Sequence, residues 1–401
     1  VMIAYDDDPN VKRYSPDFQT QDEFAKGWQS ALKKAHHTSG QKSVITCGCR
    51  GKGEKRLYVR ALPNGDAFIL VKAANTGIEH DPSCVFFSLD ARQTGLKGYA
   101  SGVVRITTEG DMAVRLGIGM TEKDPPEKSE VPPLPHVQRP EGGQASMTLL
   151  GLLSLLWTES GLNVWYPKMA GKRNDSLVRY RLLETAKQIR TGRACIGDHL
   201  FIGVPDPKQP VAQSQIQRLS SQAMSDKRLM LLSVLPRYDA EKHEKPLKFL
   251  PLRNFGGLPL IFFNSEVHWD SVKKRFSSEY AAWKSGAKIV VFALTSPAAV
   301  TSRGPSVRAH QIVLMHVSEN WIPLDSSYEA VVAEKLDAEH RQYVKPMRYD
   351  ASISEVFPDF YLLDTKSDKP FPMEVFGMAT PAYLARKQLK KDYYNREYGP
   401  Y

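Results

Sequence analysis

Cysteine is scarce: four in 401 residues, too few to staple a chain of this length, so a disulfide framework is excluded and a reducing compartment expected. No glycine loop running into Gly-Lys-Ser/Thr occurs, which excludes a built-in nucleotide motor. Gly-x-Ser-x-Gly and His-Glu-x-x-His are also missing, which sets aside the serine-hydrolase elbow and the zincin protease. The longest apolar run, residues 147–157, falls far short of the roughly 20 residues a bilayer demands. No secretory signal pattern opens the chain, and no internal repeat is visible. The expectation is a cytoplasmic protein with no membrane partner.

What remains is ordinary globular material, 42% hydrophobic and 24% charged, long enough for two to four domains at roughly 100–200 residues each. Lysine and arginine outnumber acids by 54 to 44, for a net charge of +10. A surplus of that sign suits a partner with a phosphate surface, and DNA is the first expectation.

Residues 1–120 read as a strand-rich domain. A helix is expected over 17–34 and strands over 44–49, 56–61 and 67–71, with Pro63-Asn-Gly65 as a hairpin turn and a further hairpin at 103–116. His36 and His37 read as a loop pair. Inside this stretch lie Cys47-Gly-Cys49 and His80-Asp-Pro-Ser-Cys84. Three thiolates and one imidazole in two close pairs complete a tetrahedral zinc shell with no place left for water, which points to a structural metal. Buried free thiols are the plainer alternative. Cys195 stands apart as a half-buried thiol.

Residues 121–146 are rich in proline, with Pro125, Pro126, Pro132, Pro133, Pro135 and Pro140 among Glu, Lys and Gly, and read as a semi-rigid linker. Residues 147–248 read as a helical, winged-helix-like DNA-binding domain: helices at 147–159, 175–190 and 214–224, strands at 200–204 and 229–235. Lys168, Lys172, Arg173, Arg179, Arg181, Lys187, Arg190 and Arg193 face only Asp175 and Glu184 in this region, interleaved with Trp165, Tyr166 and Tyr180. That imbalance reads as a phosphate-contacting surface, with Lys172, Arg173, Arg179, Arg181, Lys187 and Arg190 as its candidates. A solvated basic helix face is the alternative. Residues 249–320 read as an α/β platform without a catalytic motif, and His243 and His268 as surface residues.

Residues 321–401 carry the chemistry. Strands are expected over 356–363 and 373–376 with a turn between them, which sets Asp359 opposite Glu374. Two carboxylates that close call for a hard divalent cation. Thr380-Pro381 then caps a helix on which Tyr383, Lys387, Lys390 and Tyr394 share a sector of roughly 60°. Two acids and a lysine on a hairpin-then-helix scaffold suit metal-assisted phosphodiester hydrolysis.

Pro358-Asp359, Glu374-Val-Phe-Gly377, Tyr383, Lys390 and Tyr393-Tyr394 resemble the PD-(D/E)XK nuclease superfamily, most nearly its helicase-associated and competence-type branch. The resemblance covers about the last 80 residues and implies a restriction-endonuclease-like α/β core. It also implies Mg²⁺ or Mn²⁺ held by Asp359, Glu374 and the Val375 carbonyl, with Glu329 on the preceding helix as an outer acid. One position departs from the pattern: Phe376 stands where the superfamily's lysine is usual. Lys390, then Lys387, would replace it from the helix. The overall expectation is a mixed α/β, multidomain, metal-dependent DNA endonuclease with a structural zinc. The alternative is an inactive zinc-containing DNA-binding or assembly factor on the same fold. Taken whole, the chain also resembles an uncharacterised bacterial family of plasmids and integrative elements. That likeness rests on Cys47-x-Cys49…His80-x3-Cys84, Trp157…Asn163-x-Trp165 and the C-terminal motif. It implies a mobile-element or defence setting and a protein partner from the same operon.

Overall fold

A computed structural model describes residues 1–36, 43–61, 68–73, 76–82, 84–89, 103–106, 111–122, 146–222, 225–252, 256–265, 268–302, 304–347, 358–365, 370–376 and 381–399, with the backbone alone at 222 and 381–386. His37, the Pro63–Gly65 turn, nearly all of the proline-rich stretch, Gly377, the Thr380 cap and the Tyr383 side chain lie outside the described residues.

The chain forms two compact units, residues 1–94 with 362–371, and residues 95–361 with 372–401. The boundaries expected at 120, 248 and 320 do not coincide with this division.

In the first unit, five strands form one sheet in the order Val11–Arg13, Met2–Ala4, Val44–Thr46, Arg56–Ala61, Phe68–Lys72. Helix Ala25–Ala35 covers it with Trp28, Leu32 and Ala35, one face at helical spacing, packed with Ile3, Ile45, Leu57 and Phe68. Burying each large apolar side chain contributes about 1.5–3 kcal/mol. The single helix expected over 17–34 is two, Pro16–Thr20 and Ala25–Ala35, because Gln21 is extended and a 3₁₀ turn, Asp22–Phe24, intervenes.

The second unit is built on a six-stranded sheet ordered Leu200–Ile202, Met230–Val234, Lys288–Thr295, Gly304–Val317, Leu260–Phe263, with Ala299–Thr301 also paired to Gly304–Val317. The unbroken apolar run in Lys288–Thr295 has the pattern of a strand covered on both faces, and only Lys288 is not buried. Helix Leu149–Glu159 is buried along nearly its whole length, and its Thr148 cap accepts from Gly151 N–H at 3.1 Å. The winged-helix expectation is therefore corrected. Strands from residues 200–234 and from the "platform" segment share one sheet, so the two segments form one body. The helix expected to reach residue 190 ends at Ala186, and Ile189–Thr191 turns into a strand. That strand joins a four-stranded sheet ordered Ala194–Cys195, Ile189–Thr191, Met112–Val114, Val104–Ile106. The 103–116 hairpin expected in the N-terminal domain thus belongs to the second unit.

A last sheet carries the acidic residues, in the order Phe371–Met373, Phe360–Leu362, Tyr343–Val344, Val164–Trp165. The strand expected over 373–376 ends at Met373, so Glu374 lies just past it. Helices Ser327–Ala338 and Pro381–Tyr398 flank these strands in sequence.

Candidate metal centres

In the second unit, Asp359 immediately precedes strand Phe360–Leu362 and Glu374 immediately follows its neighbour Phe371–Met373, which brings the two acids to one end of the strand pair. The Val375 amide donates to Asp359 Oδ2 at 2.9 Å and closes that end. Glu374 is nearly inaccessible: its side chain is 3% exposed. Lys390 donates to both of its oxygens, at 2.8 and 2.9 Å, and the Tyr394 hydroxyl donates to Oε1 at 2.6 Å. Lys390 and Tyr394 are four apart, hence on the same helix face. Burial, then the negative charge of Asp359, pushes the Glu374 carboxyl above its ordinary value, and Lys390 and Tyr394 oppose this only in part.

Lys387 does not join them. Its ammonium lies 4.3 Å from the centre of the Phe376 ring, in a cation–π contact. Of the two lysine candidates, Lys390 is the one at the acids. Val375 contributes its N–H here, to Asp359.

Glu329 stands at the third helical position after its Ser326 cap, whose hydroxyl accepts from the Glu329 amide at 3.2 Å. Its own Oε2 accepts from Asp325 N–H at 3.0 Å, a variant of the capping box. Burial raises its pKa, and Asp325 and Asp359 push the same way. Asp359 therefore influences both Glu374 and Glu329.

The residue sequence reading missed is Lys345. It is 1% exposed, with Nζ at 2.8 Å from Glu329 Oε2 and 2.9 Å from Asp325 Oδ2. Its backbone is pinned by two bonds to Asn163: Lys345 N–H to Asn163 O at 2.8 Å, and Asn163 Nδ2–H to Lys345 O at 2.9 Å. The available signal was a charge inside the otherwise buried run Tyr343-Val-Lys-Pro-Met347. Lys345 thus pairs with Asp325 and Glu329, and Lys390 with Glu374.

In the first unit, Cys47, Cys49, His80 and Cys84 converge with their ligand atoms within 4.8 Å of one another. Cys47 Sγ and Cys84 Sγ are 3.7 Å apart, and His80 Nδ1 is 3.7 Å from both Cys49 Sγ and Cys84 Sγ. Ligands at zinc–sulfur and zinc–nitrogen bond lengths on a tetrahedron lie roughly 3.5–3.8 Å apart, so the donor set and its spacing fit a closed zinc site. The cluster itself favours the ionised form of Cys47, because the Cys84 thiol donates to it. Asp81 N–H donates to Cys49 Sγ at 3.3 Å. Gly51 makes the closure possible: a Cβ there would lie 2.1 Å from Glu79 O. This cluster can bind a metal such as zinc.

The basic candidates divide. Arg173 is buried, and its guanidinium donates to the carbonyls of Leu162 at 3.0 Å, Asn320 at 3.2 Å and Val164. It is a structural tie and is withdrawn as a phosphate contact. Arg181 donates to Ser160 O at 3.2 Å, Lys187 to Glu184 at 2.6 Å and Arg190 to Asp111 at 3.1 Å. Lys172 is exposed and Arg179 half-buried. His243, expected at the surface, is buried against Trp283 with ring centres 4.8 Å apart, and accepts from Asp239 N–H. Among the described residues, no helix is long and apolar enough to cross a membrane.

A family model described as "Protein of unknown function (DUF1173)" matches residues 15–393, and the chain belongs to that family. No curated protein and no solved structure matches it.

Proposed function

We propose that this DUF1173 chain is a metal-dependent DNA endonuclease of the PD-(D/E)XK kind, acting in the cytoplasm in a mobile-element or defence setting. The supporting observation is the convergence of Asp359, Glu374 and Lys390 at one end of a strand pair. Asp359 and Glu374 are the oxygen donors that would hold Mg²⁺ or Mn²⁺, with the Val375 carbonyl beside them and Glu329 as an outer acid. A divalent ion bound there would polarise the phosphodiester and lower the pKa of a water molecule. Lys390, released from Glu374, would place its ammonium against the attacking water or the charge gathering on the phosphate. Tyr394 would hold the Glu374 carboxylate in position. Lys345 would fix Glu329 and offset part of its charge. Zinc at Cys47, Cys49, His80 and Cys84 would hold the first unit together, and Lys172 and Arg179 belong to the surface that would meet DNA.

A specific observation favours a second reading, an inactive DNA-binding or assembly factor. Lys390 already engages both Glu374 oxygens, Lys345 engages Glu329, and position 376 is Phe. A supercoiled-plasmid assay with Mg²⁺ or Mn²⁺ decides between them. Cutting that disappears in Glu374→Ala and persists in Lys387→Ala carries the first reading. Tight DNA binding with no cutting under either metal carries the second.

A further inference from the structure

The second unit contains a cavity of about 320 Å³ under helix His268–Arg275, within the range of small-molecule sites and sharing no residue with the acidic cluster. Its floor is apolar and buried, formed by Met147, Met230, Leu294 and Ile312. The helix turns one face to it: His268, Ser271, Val272 and Arg275 recur at three- and four-residue spacing and all line the cavity. His310 and Gln311 enter from strand Gly304–Val317.

Among the described residues, the lining carries one guanidinium and two imidazoles but no aspartate or glutamate. Glu122, which is not part of that lining, engages His310 Nε2 at 3.0 Å. His268 Nδ1 accepts from Asn264 N–H at 3.4 Å, so its neutral ring carries the proton on Nε2 and offers a donor. The fixed positive charge is Arg275, which is exposed at the cavity's edge. Guanidinium groups match carboxylate and phosphate geometry with paired donors, and an apolar floor rewards a hydrophobic body.

We propose that this cavity binds a small molecule that joins a compact apolar body to a single carboxylate or phosphate, with the anion at Arg275 and the body over Met230 and Ile312. The site is independent of whether the acidic cluster cuts DNA, so the two readings fail separately.

The test uses the full chain and two fluorescent probes, anionic 8-anilinonaphthalene-1-sulfonate and neutral N-phenyl-1-naphthylamine. One sulfonate site per chain is expected. Arg275→Ala should weaken it at least tenfold while changing the neutral probe less than twofold. Gln311→Trp, at an exposed position, should block both probes. Phenyl phosphate and benzoate should displace the sulfonate, and the stronger of the two identifies the anion; benzyl alcohol should not displace it. Equal sulfonate binding by wild type and Arg275→Ala, several equivalent sites, or displacement by benzyl alcohol as readily as by the anions would overturn the proposal.

Discussion

The two polar clusters of this chain solve opposite electrostatic problems. Cys47, Cys49, His80 and Cys84 bring three thiols and an imidazole within 4.8 Å of one another. Of the acids in the second cluster, Asp325 and Glu329 hold Lys345, and Glu374 holds Lys390, at hydrogen-bond distance. The first arrangement has the donor set to take a cation. In the second, Lys345 and Lys390 occupy carboxylate oxygens that a cation would need. Donor identity alone does not make a metal site; what matters is whether the donors are already satisfied.

The comparison can be broken or sharpened by experiment. The largest effect should come from the thiolate cluster. Structural zinc is worth about 10–16 kcal/mol in small zinc domains, so Cys47→Ser/Cys84→Ser or strong chelation should melt the first unit. Elemental analysis together with near-UV circular dichroism reads this; unchanged tertiary signal after complete zinc loss would contradict it. Next is Lys345→Met, which strands Glu329 as an unpaired buried charge at a cost of about 3–5 kcal/mol. Adding Glu329→Gln should recover most of that loss in urea melts, and no recovery would mean the lysine acts through packing alone.

Smaller still, Lys390→Ala should reduce plasmid cutting about 100-fold or more, the loss of one preorganised transition-state donor. Lys387→Ala, whose ammonium lies on Phe376, should stay within about threefold of wild type. Equal loss in both would reassign the role.

A pH series in metal-free buffer separates the clusters further. Burial and Asp359 hold the Glu374 pKa above its ordinary value. The folded chain therefore retains a proton that the unfolded chain releases, and stability falls as pH rises from the ordinary glutamate value through the raised one. Glu374→Gln should flatten this slope in urea midpoints; the same slope in both proteins would place the titration elsewhere. The smallest expected change is at the surface. Lys172→Ala should leave stability within about 0.5 kcal/mol of wild type and lower the salt slope of DNA binding by about one.

Local chemistry was legible in the sequence wherever neighbours in the chain are partners in space. The strand Arg56–Ala61 was readable from its composition, and the Cys/His cluster from two close pairs of soft ligands. The acid pair followed from a hairpin, which folds nearby residues onto each other. Lys345 escaped because a single lysine before a proline has no periodicity; its meaning comes from Glu329, Asp325 and Asn163. Arg173 and Lys172 are adjacent and chemically alike in the sequence. Only the fold sends one into backbone carbonyls and leaves the other in solvent. The sheet joining Val104–Ile106 to Ile189–Thr191 through Met112–Val114 was invisible for the same reason, since long-range pairing leaves no local pattern.

The paired hydrogen bonds between Asn163 and Lys345 bear on how the protein is made. The outermost strand of the acidic sheet, Val164–Trp165, is contributed by a segment 182 residues earlier than its partner, counted at Asn163 and Lys345. On the ribosome that edge emerges long before the strand it must receive. Closing so large a loop costs about 5 kcal/mol of chain entropy before any contact compensates. Assembly of the acidic centre is thus a late event in biogenesis, and a nascent chain released early would lack the acidic cluster.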